Sequence, residues 1–479
     1  MSTIAAHTLG CKVNQYDTQK ILSKFFSEGF IEVPFNGPAD IYLINSCSVT
    51  HMAERKSRQY VAKARKQNPG AQIIVAGCYS RLDAARVFSI PGVTGIIQNS
   101  ETLAPLDLEE VVNKVSVNDH DSPLNPPKGG LKMHLQKTQY QDKNTNQSGT
   151  INKSSIQNSK NTIQSPPLGG FRGLSTPSLS TNRVRRFLVI QNGCEQFCAY
   201  CIIPYARGKV WSKPLDEAVA EAAKMVDEEG AREIVLTGIN LGTWQVLNSE
   251  SRGTGLSLII DSLCQINGLF RLRLSSIEPQ YWTDELLDNI KNNPRVCPHF
   301  HIPLQNGCDR TLQRMLRPYS AADYALLVKK IYALFPDAAI TTDVMVGFPG
   351  ETDADMEECL SFVEPQRFSD MHIFRFSPRA GTAAADMPDQ IAPETAQNRQ
   401  EALQNLNQRQ SKEYRGRFKG KQLEVLWESF DPDSNLLSGL TANYLRVKKQ
   451  GGADMVGELA SCMYLRGDGG LSALVPILS

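Results

Sequence analysis

The chain has 479 residues, 41% of them hydrophobic and 21% charged, with 51 Lys and Arg against 50 Asp and Glu. That length is too great for one compact core and asks for two or three domains. The near-neutral balance neither demands nor excludes a polyanionic partner, since a basic face can be local. The opening MSTIAAHTLGCKVNQYD carries no basic segment followed by a long apolar core, so no secretory signal is expected. No stretch approaches the roughly 18 uninterrupted apolar residues of a membrane span. A cytoplasmic location is the expectation. In that reducing compartment the 11 cysteines point to metal binding or catalysis rather than disulfides. Cys264, Cys359 and Cys462 read as plain core residues.

From the N-terminus, short apolar runs alternate with helical patterns. Ala5–Cys11, Ile41–Ser46, Ile73–Ala76 and Gly95–Gln98 read as strands, and Gln15–Gly29 and Met52–Gln67 as helices. Such alternation predicts a parallel sheet flanked by helices. Cys11, Cys47 and Cys78 each fall at or just past the C-terminal end of a predicted strand. In an open α/β sheet those ends share one ligand-binding edge, which would gather three thiols far apart in sequence. Three unrelated buried cysteines are the plainer alternative.

Residues 117–182 break the pattern. They are rich in Asn, Gln, Ser, Pro, Gly and Lys, with a rough echo between PPKGG and PPLGG. Too few branched apolar residues are present to offset ordering entropy, so a disordered linker or insertion is expected.

Alternation resumes with strands expected at Phe187–Gln191, Glu233–Gly238, Arg271–Ser275, Phe300–Leu304, Ile340–Gly347 and Met371–Phe376. Helices are expected at Asp216–Glu229, Thr283–Lys291, Asp309–Met315, Ala321–Leu334 and Asp353–Glu364. Six β/α units suggest a complete or partial barrel, whose active site gathers at the C-terminal strand ends. After the first strand comes Cys194-Glu195-Gln196-Phe197-Cys198-Ala199-Tyr200-Cys201. Three thiolates at this CxxxCxxC spacing suit three corners of an iron–sulfur cube and leave one iron open. Structural zinc would need a fourth ligand and usually shows paired CxxC steps. Thr237-Gly238-Ile239-Asn240, Ser275-Ser276 and Gly347-Phe348-Pro349-Gly350-Glu351-Thr352 follow later strands and together resemble the lining of a cofactor pocket. Any one alone would be an ordinary turn.

From about 416 to 479 the chain reads as a small antiparallel barrel, with strands at Gln422–Glu428, Leu440–Val447 and Val456–Leu465. Arg415, Arg417, Lys419, Lys421, Arg446, Lys448 and Lys449 with Phe418, Trp427 and Tyr444 suggest an RNA-binding face. A solvated basic face over an ordinary core is the alternative.

With these residues in place, the chain resembles the methylthiotransferase family of radical S-adenosylmethionine (SAM) enzymes from end to end, the insertion aside. The CxxxCxxC is similar to the radical SAM signature, and the N-terminal cysteine trio and the terminal barrel complete the family pattern. Within the family, His7-Thr8-Leu9-Gly10-Cys11-Lys12-Val13-Asn14, Ile202-Ile203-Pro204-Tyr205-Ala206-Arg207-Gly208, Leu236-Thr237-Gly238-Ile239 and Ser275-Ser276-Ile277-Glu278 resemble the branch acting on threonylcarbamoyladenosine in tRNA. The branch acting on isopentenyladenosine typically reads GCQMN at the first cysteine, and the branch acting on a ribosomal protein GCPKN. Lys12-Val13 departs from both.

The resemblance implies an α/β fold in four parts: an N-terminal domain (1–116), the insertion (117–182), a partial (β/α)6 radical SAM core (183–415) and a TRAM-like barrel (416–479). It implies that Cys194, Cys198 and Cys201 hold a 4Fe-4S cluster that binds SAM, and that Cys11, Cys47 and Cys78 hold a second 4Fe-4S cluster carrying sulfur. Gly238, Ser275, Ser276, Asp343, Gly347 and Glu351 would line the SAM site. One SAM would methylate the sulfur, and another would yield the 5′-deoxyadenosyl radical that removes hydrogen from adenine C2 at position 37. The cofactors carry this chemistry, so no general base is expected. Neither His51 nor His301 is given a catalytic role. Partners would be the tRNA anticodon stem-loop and an electron donor such as a flavodoxin or ferredoxin, with no membrane. The helix residues Arg55, Lys56, Arg58, Lys63, Arg65 and Lys66 are further candidates for the RNA grip. Rival expectations are the two sister activities and a non-enzymatic RNA-binding iron–sulfur sensor.

Overall fold

The computed structural model describes residues 2–98, 184–245, 255–465 and 472–476. The expected linker at 117–182 lies outside the described residues. Strands β1 (Thr3–Thr8), β2 (Ile31–Glu32), β3 (Ile41–Ser46), β4 (Gln72–Gly77) and β5 (Gly95–Ile97) pair in the order β2-β1-β3-β4-β5, all parallel. Central β3 is buried along its whole length, as a run reading Ile41-Tyr42-Leu43-Ile44 requires. Alternate side chains go to opposite faces. Leu43 and Ile74 pack under α1 (Lys12–Ser27) with Ile21, Leu22 and Phe25, while Tyr42, Ile44 and Ile73 pack under α2 (His51–Gln67) with Val61 and Ala64. The Thr50 hydroxyl accepts from the Ala53 amide at 3.2 Å and caps α2. Strand β1 stops at Thr8, short of the expected Cys11, and α1 starts at Lys12. Gly10, at φ +101°, turns the chain between them.

Six further parallel strands run in the order β6 (Arg185–Val189), β9 (Glu233–Thr237), β10 (Arg271–Leu274), β11 (His299–His301), β12 (Ala339–Val346) and β13 (Asp370–Arg375). Two three-stranded sheets account for them, and the parallel bridges Leu272–Val296 and Ser276–His301 join the sheets. The short pair β7 (Gln191–Asn192) and β8 (Trp211–Ser212) stands apart. Strand β11 is cut to three residues because Pro303 has no amide to donate. Between these strands run helices that include α6 (Leu215–Asp227), α7 (Gly255–Cys264), α8 (Asp284–Asn292), α10 (Ala321–Leu334) and α11 (Asp353–Val363). One apolar core holds their inner faces, with Leu236, Leu272, Phe300, Ile340 and Val344 at its centre. Val13 and Tyr16 of α1 enter that same core, so the first helix belongs to both halves.

Besides three five-residue helices, two longer ones were not expected from the sequence. Helix α7 carries Leu256, Ile259, Ile260 and Leu263 at helical spacing. The 24-residue α12 (Pro393–Gly416) hid because much of its inward stripe is polar: Gln400 donates to the Ile373 carbonyl and Gln410 to the Val363 carbonyl, each at 3.0 Å.

The C-terminal part has five strands where three were expected: β14 (Gln422–Asp431), β15 (Leu436–Thr441), β16 (Arg446–Gln450), β17 (Leu459–Tyr464) and β18 (Ser472–Pro476). The sheet curls until β17 pairs back onto β14, with β18 between β16 and β17. The expected strand Leu440–Val447 is really a turn flanked by β15 and β16, with Tyr444 at φ +67°. Phe418 and Trp427 are wholly buried in the core of this sheet, which corrects their reading as RNA-stacking aromatics. The basic-face alternative fits better, although Arg417 and Lys421 reach Asp337, Arg446 reaches Glu428, and Lys449 is buried over the Trp427 ring.

Candidate active site: two cysteine triads and a polar strand edge

All three N-terminal thiols lie where the parallel topology puts strand ends. Cys11 caps α1, Cys47 follows β3, and Cys78 opens the short helix α3 (Cys78–Leu82) after β4. The side-chain oxygen of Asn14 lies 3.9 Å from Cys11 Sγ and 3.8 Å from Cys78 Sγ, while its amide donates to the carbonyls of Leu9 and Ser46. A Cβ on Gly10 would stand 2.9 Å from Cys47 Cβ and 3.1 Å from its Sγ. The three sulfurs therefore share one small space. Burial, and then the neighbouring Cys78 thiol, push Cys47 up to about 12, so metal uptake there must displace a proton. We expect Gly10→Ala to strain the left-handed turn and push Cys47 aside, removing about half of the bound iron while RNA-independent SAM cleavage persists. Iron per chain and 5′-deoxyadenosine release measure the two.

Cys194, Cys198 and Cys201 lie in the loop after β7. The Cys194 amide donates to the Gly208 carbonyl at 3.1 Å, and the Cys201 amide to the Cys198 carbonyl at 2.9 Å. Cys198 is buried, and the other two are half-buried. Arg317 donates to Cys198 Sγ at 3.0 Å and to the Tyr319 hydroxyl at 3.0 Å, and is ion-paired to Glu278. Desolvation pushes Cys201 up to about 12, with the neighbouring thiols adding to it.

The two triads are physically joined. Helix α5 (Ile203–Arg207) starts two residues after Cys201 and ends at Arg207. Its guanidinium donates to Asn14 Oδ1 at 2.6 Å and pairs with Asp17 at 3.3 Å. Five residues in this conformation span roughly 7.5 Å. One side of the helix thus belongs to each triad.

The strand edge beyond the second triad is polar. Ser275 Oγ, Asn240 Oδ1 and Gln305 Oε1 are buried without a hydrogen-bond partner among the described residues, and Gln305 sits at φ +65°. Buried polar atoms normally have partners, so this edge suits a polar ligand. Ser48 Oγ and Tyr79 OH, next to Cys47 and Cys78, are orphaned in the same way. Three thiols from neighbouring strand ends at one set, and from one short loop at the other, with unmet polar atoms beside them, fit open-cornered clusters.

Other expected pocket residues take on different tasks. The Glu351 carboxylate is turned inward to Arg399 at 2.8 Å and to the Gly347 amide at 3.1 Å, so it braces the turn. Gly347 itself, at φ +72°, lets Ala396 of α12 approach. Gly238 makes room for the Gln191 side chain, whose Oε1 accepts from the Asn240 amide at 2.8 Å. Ser276 bridges to His301. Asp343 accepts from His301 Nε2 and His372 Nδ1, each at 3.2 Å. Burial would raise Asp343, but these imidazoles outweigh it and hold the carboxyl well below the usual range. His372 is raised in turn by its bond to Asp343. The sequence reading had missed Asn14, Arg207, Arg317 and the His301–Asp343–His372 set, whose partners are all remote in sequence. The six basic residues expected on α2 are indeed all exposed.

Residues 3–98 match the Uncharacterized protein family UPF0004, and residues 188–363 match the Radical SAM superfamily. The threonylcarbamoyladenosine tRNA methylthiotransferase MtaB of Bacillus subtilis (strain 168) is 33% identical over 97% of this chain and 94% of its own length. The chain belongs to the MtaB branch of the methylthiotransferases. The MtaB of Thermotoga maritima is 34% identical over 96% of this chain and 94% of its own. From the sister branch, the tRNA-2-methylthio-N(6)-dimethylallyladenosine synthase of Agrobacterium fabrum is 31% identical over 88% of this chain and 86% of its own. The MtaB relatives match at 33–34% identity, the dimethylallyladenosine synthases at 28–31%. No described helix is long and apolar enough to cross a membrane.

Proposed function

We propose that the protein is a radical SAM methylthiotransferase acting on N6-threonylcarbamoyladenosine next to the anticodon of tRNA in the cytoplasm. The carrying observation is the pair of cysteine triads joined through Arg207 and Asn14 at the polar strand edge. Cys194, Cys198 and Cys201 would hold a SAM-binding 4Fe-4S cluster, and Cys11, Cys47 and Cys78 a second one. When bound, these groups supply one-electron cleavage of SAM and a sulfur that is methylated and delivered to adenine C2.

The chain's own residues position and enclose. Arg317 places a buried cation on Cys198, and Arg207 places one beside the Asn14 that serves Cys11 and Cys78. Ser275, Asn240 and Gln305 offer unmet polar atoms to SAM, with Gly238, Ser276 and Asp343 around them. Dense apolar packing beneath that edge excludes water from it. Residues 1–116, 183–415 and 416–479 form the auxiliary-cluster part, a partial (β/α)6 core and a TRAM-like part, with 117–182 as the linker. The exposed basic face of α2 and the exposed Lys419, Lys421 and Arg446 would grip RNA phosphates. A one-electron donor of the flavodoxin or ferredoxin class completes the system.

Nucleoside analysis of tRNA from a strain lacking the gene tests this reading. We expect the methylthio group to vanish from threonylcarbamoyladenosine and to return with the intact gene. Loss from isopentenyladenosine alone would establish the sister activity, and no change in tRNA would favour the sensor.

A further inference from the structure

Strands β11, β12 and β13 bring together two imidazoles and a carboxylate whose partnership the proposed chemistry does not use. Phe300, Ile340, Val344, Met371 and Ile373 belong to the apolar core under the helices. By alternation, His301, Thr341, Asp343 and His372 take the other face of these strands. The parallel register sets Asp343 directly beside His372, and Thr341 directly beside His301. One ligand atom from each of His301, Asp343 and His372 lies within 4.8 Å of the other two. His301 Nε2 is 3.2 Å from Asp343 Oδ2, and His372 Nδ1 is 3.2 Å from Asp343 Oδ1.

Two imidazole nitrogens and one carboxylate are the donor set of an open zinc site. Tetrahedral bonds of about 2.0–2.1 Å put ligand atoms about 3.3 Å apart, so closing this set on an ion takes shifts of about 1.5 Å at most. His301 is steadied from behind. Thr341 Oγ1 lies 2.8 Å from its Nδ1, the kind of outer bond that fixes the ring of a metal-bound histidine. An ion has a way in, because the His372 side chain is 58% exposed, against 12% for His301 and 25% for Asp343. Gln305 donates its amide to the Asp343 carbonyl at 2.8 Å, and its buried Oε1 has no partner among the described residues. The Arg273 guanidinium, over the Tyr444 ring that stacks on His299, is matched by Glu233 at 2.7 Å and so offers a cation little repulsion.

We propose that His301, Asp343 and His372 form a binding site for one divalent ion of the zinc class, with its remaining position open to an oxygen donor. The site is additional to both cysteine triads. Met345 and Phe374, the next residues along on the same face, share an apolar cluster with Ala199 of the CxxxCxxC loop. The ion therefore stands two residues, or roughly 7 Å, along the strands from that layer. There it ties three neighbouring strands together and presents a cation to a ligand oxygen. Magnesium and calcium are the wrong class, because such hard ions take oxygen ligands.

The test uses anaerobically reconstituted, iron-replete full-length protein in equilibrium dialysis against micromolar Zn2+, with bound zinc and iron both counted. The wild-type chain should hold one zinc more than His372→Ala and one more than Asp343→Asn, with iron equal in all three. Equal iron means that zinc held elsewhere cancels in the comparison. Thr341→Val should weaken zinc binding by about tenfold to a hundredfold, the effect of losing an outer partner. X-ray absorption at the zinc edge of the wild-type protein should show nitrogen and oxygen neighbours at about 2.0–2.1 Å. Equal zinc in wild type and His372→Ala overturns the proposal and leaves a hydrogen-bonded triad only. Sulfur neighbours alone around zinc overturn it as well. If Asp343→Asn does not fold, His372→Ala decides, since that side chain is largely exposed. If His372→Ala also loses iron, the wild-type zinc spectrum decides.

Discussion

Anaerobically reconstituted protein with Cys194, Cys198 and Cys201 all changed to Ala should retain about half of the roughly eight irons bound by the wild-type chain. It should also release no 5′-deoxyadenosine from SAM. The reason is the separateness of the two thiol sets. Cys11, Cys47 and Cys78 come from three strand ends of one sheet, and Cys194, Cys198 and Cys201 come from one loop of the other half. Arg207 bridges them through Asn14 and Asp17. Removing one set leaves the ligands of the other intact. The reciprocal variant, with Cys11, Cys47 and Cys78 changed to Ala, should keep SAM cleavage and lose methylthio transfer. Iron analysis and product chromatography check both. Unchanged iron in the first variant would remove the assignment of the CxxxCxxC loop.

Changing Arg273 to Met should destabilise the fold by about 3–5 kcal/mol, because it strands a buried carboxylate. The Arg273 and Glu233 side chains are 1% and 0% exposed. Arg273 also donates to the carbonyls of Ala442 at 2.9 Å and Thr441 at 3.2 Å, while its neighbour Arg271 donates to Leu440 at 2.7 Å and Glu424 at 2.9 Å. These two arginines on β10 thus fasten the C-terminal sheet to the central strands. The double variant Arg273→Met/Glu233→Leu should regain much of the loss, since it leaves no unpaired charge. Urea unfolding measures the stability, and limited proteolysis reports release of the C-terminal sheet. Equal stability of the single and double variants would contradict this account.

The elements that were legible in the sequence are those whose own residues carry the signal. Ile41–Ser46 and Ala321–Leu334 match the expected bounds, the first as an unbroken apolar run and the second between a Ser320–Asp323 capping box and Phe335. The elements that were missed owe their stability to partners elsewhere. Helix α12 is held by glutamines bonded to distant carbonyls, and the turn inside Leu440–Val447 is set by Tyr444 stacking on His299. Trp427 and Phe418 look the same in a sequence whether they face RNA or the core. Only the closure of the curled sheet turns them inward.

The sequence by itself determined the chemistry on offer. The CxxxCxxC spacing puts three thiols in one loop, because only seven peptide bonds separate the first from the last, and strand–helix alternation brings Cys11, Cys47 and Cys78 to one edge. The tertiary structure alone decided how the two triads meet. Arg207 must cross between the halves to find Asn14, and Arg317 must fold back onto Cys198. Such contacts join residues roughly one to two hundred positions apart. No local pattern encodes them, because each depends on how whole sheets pack.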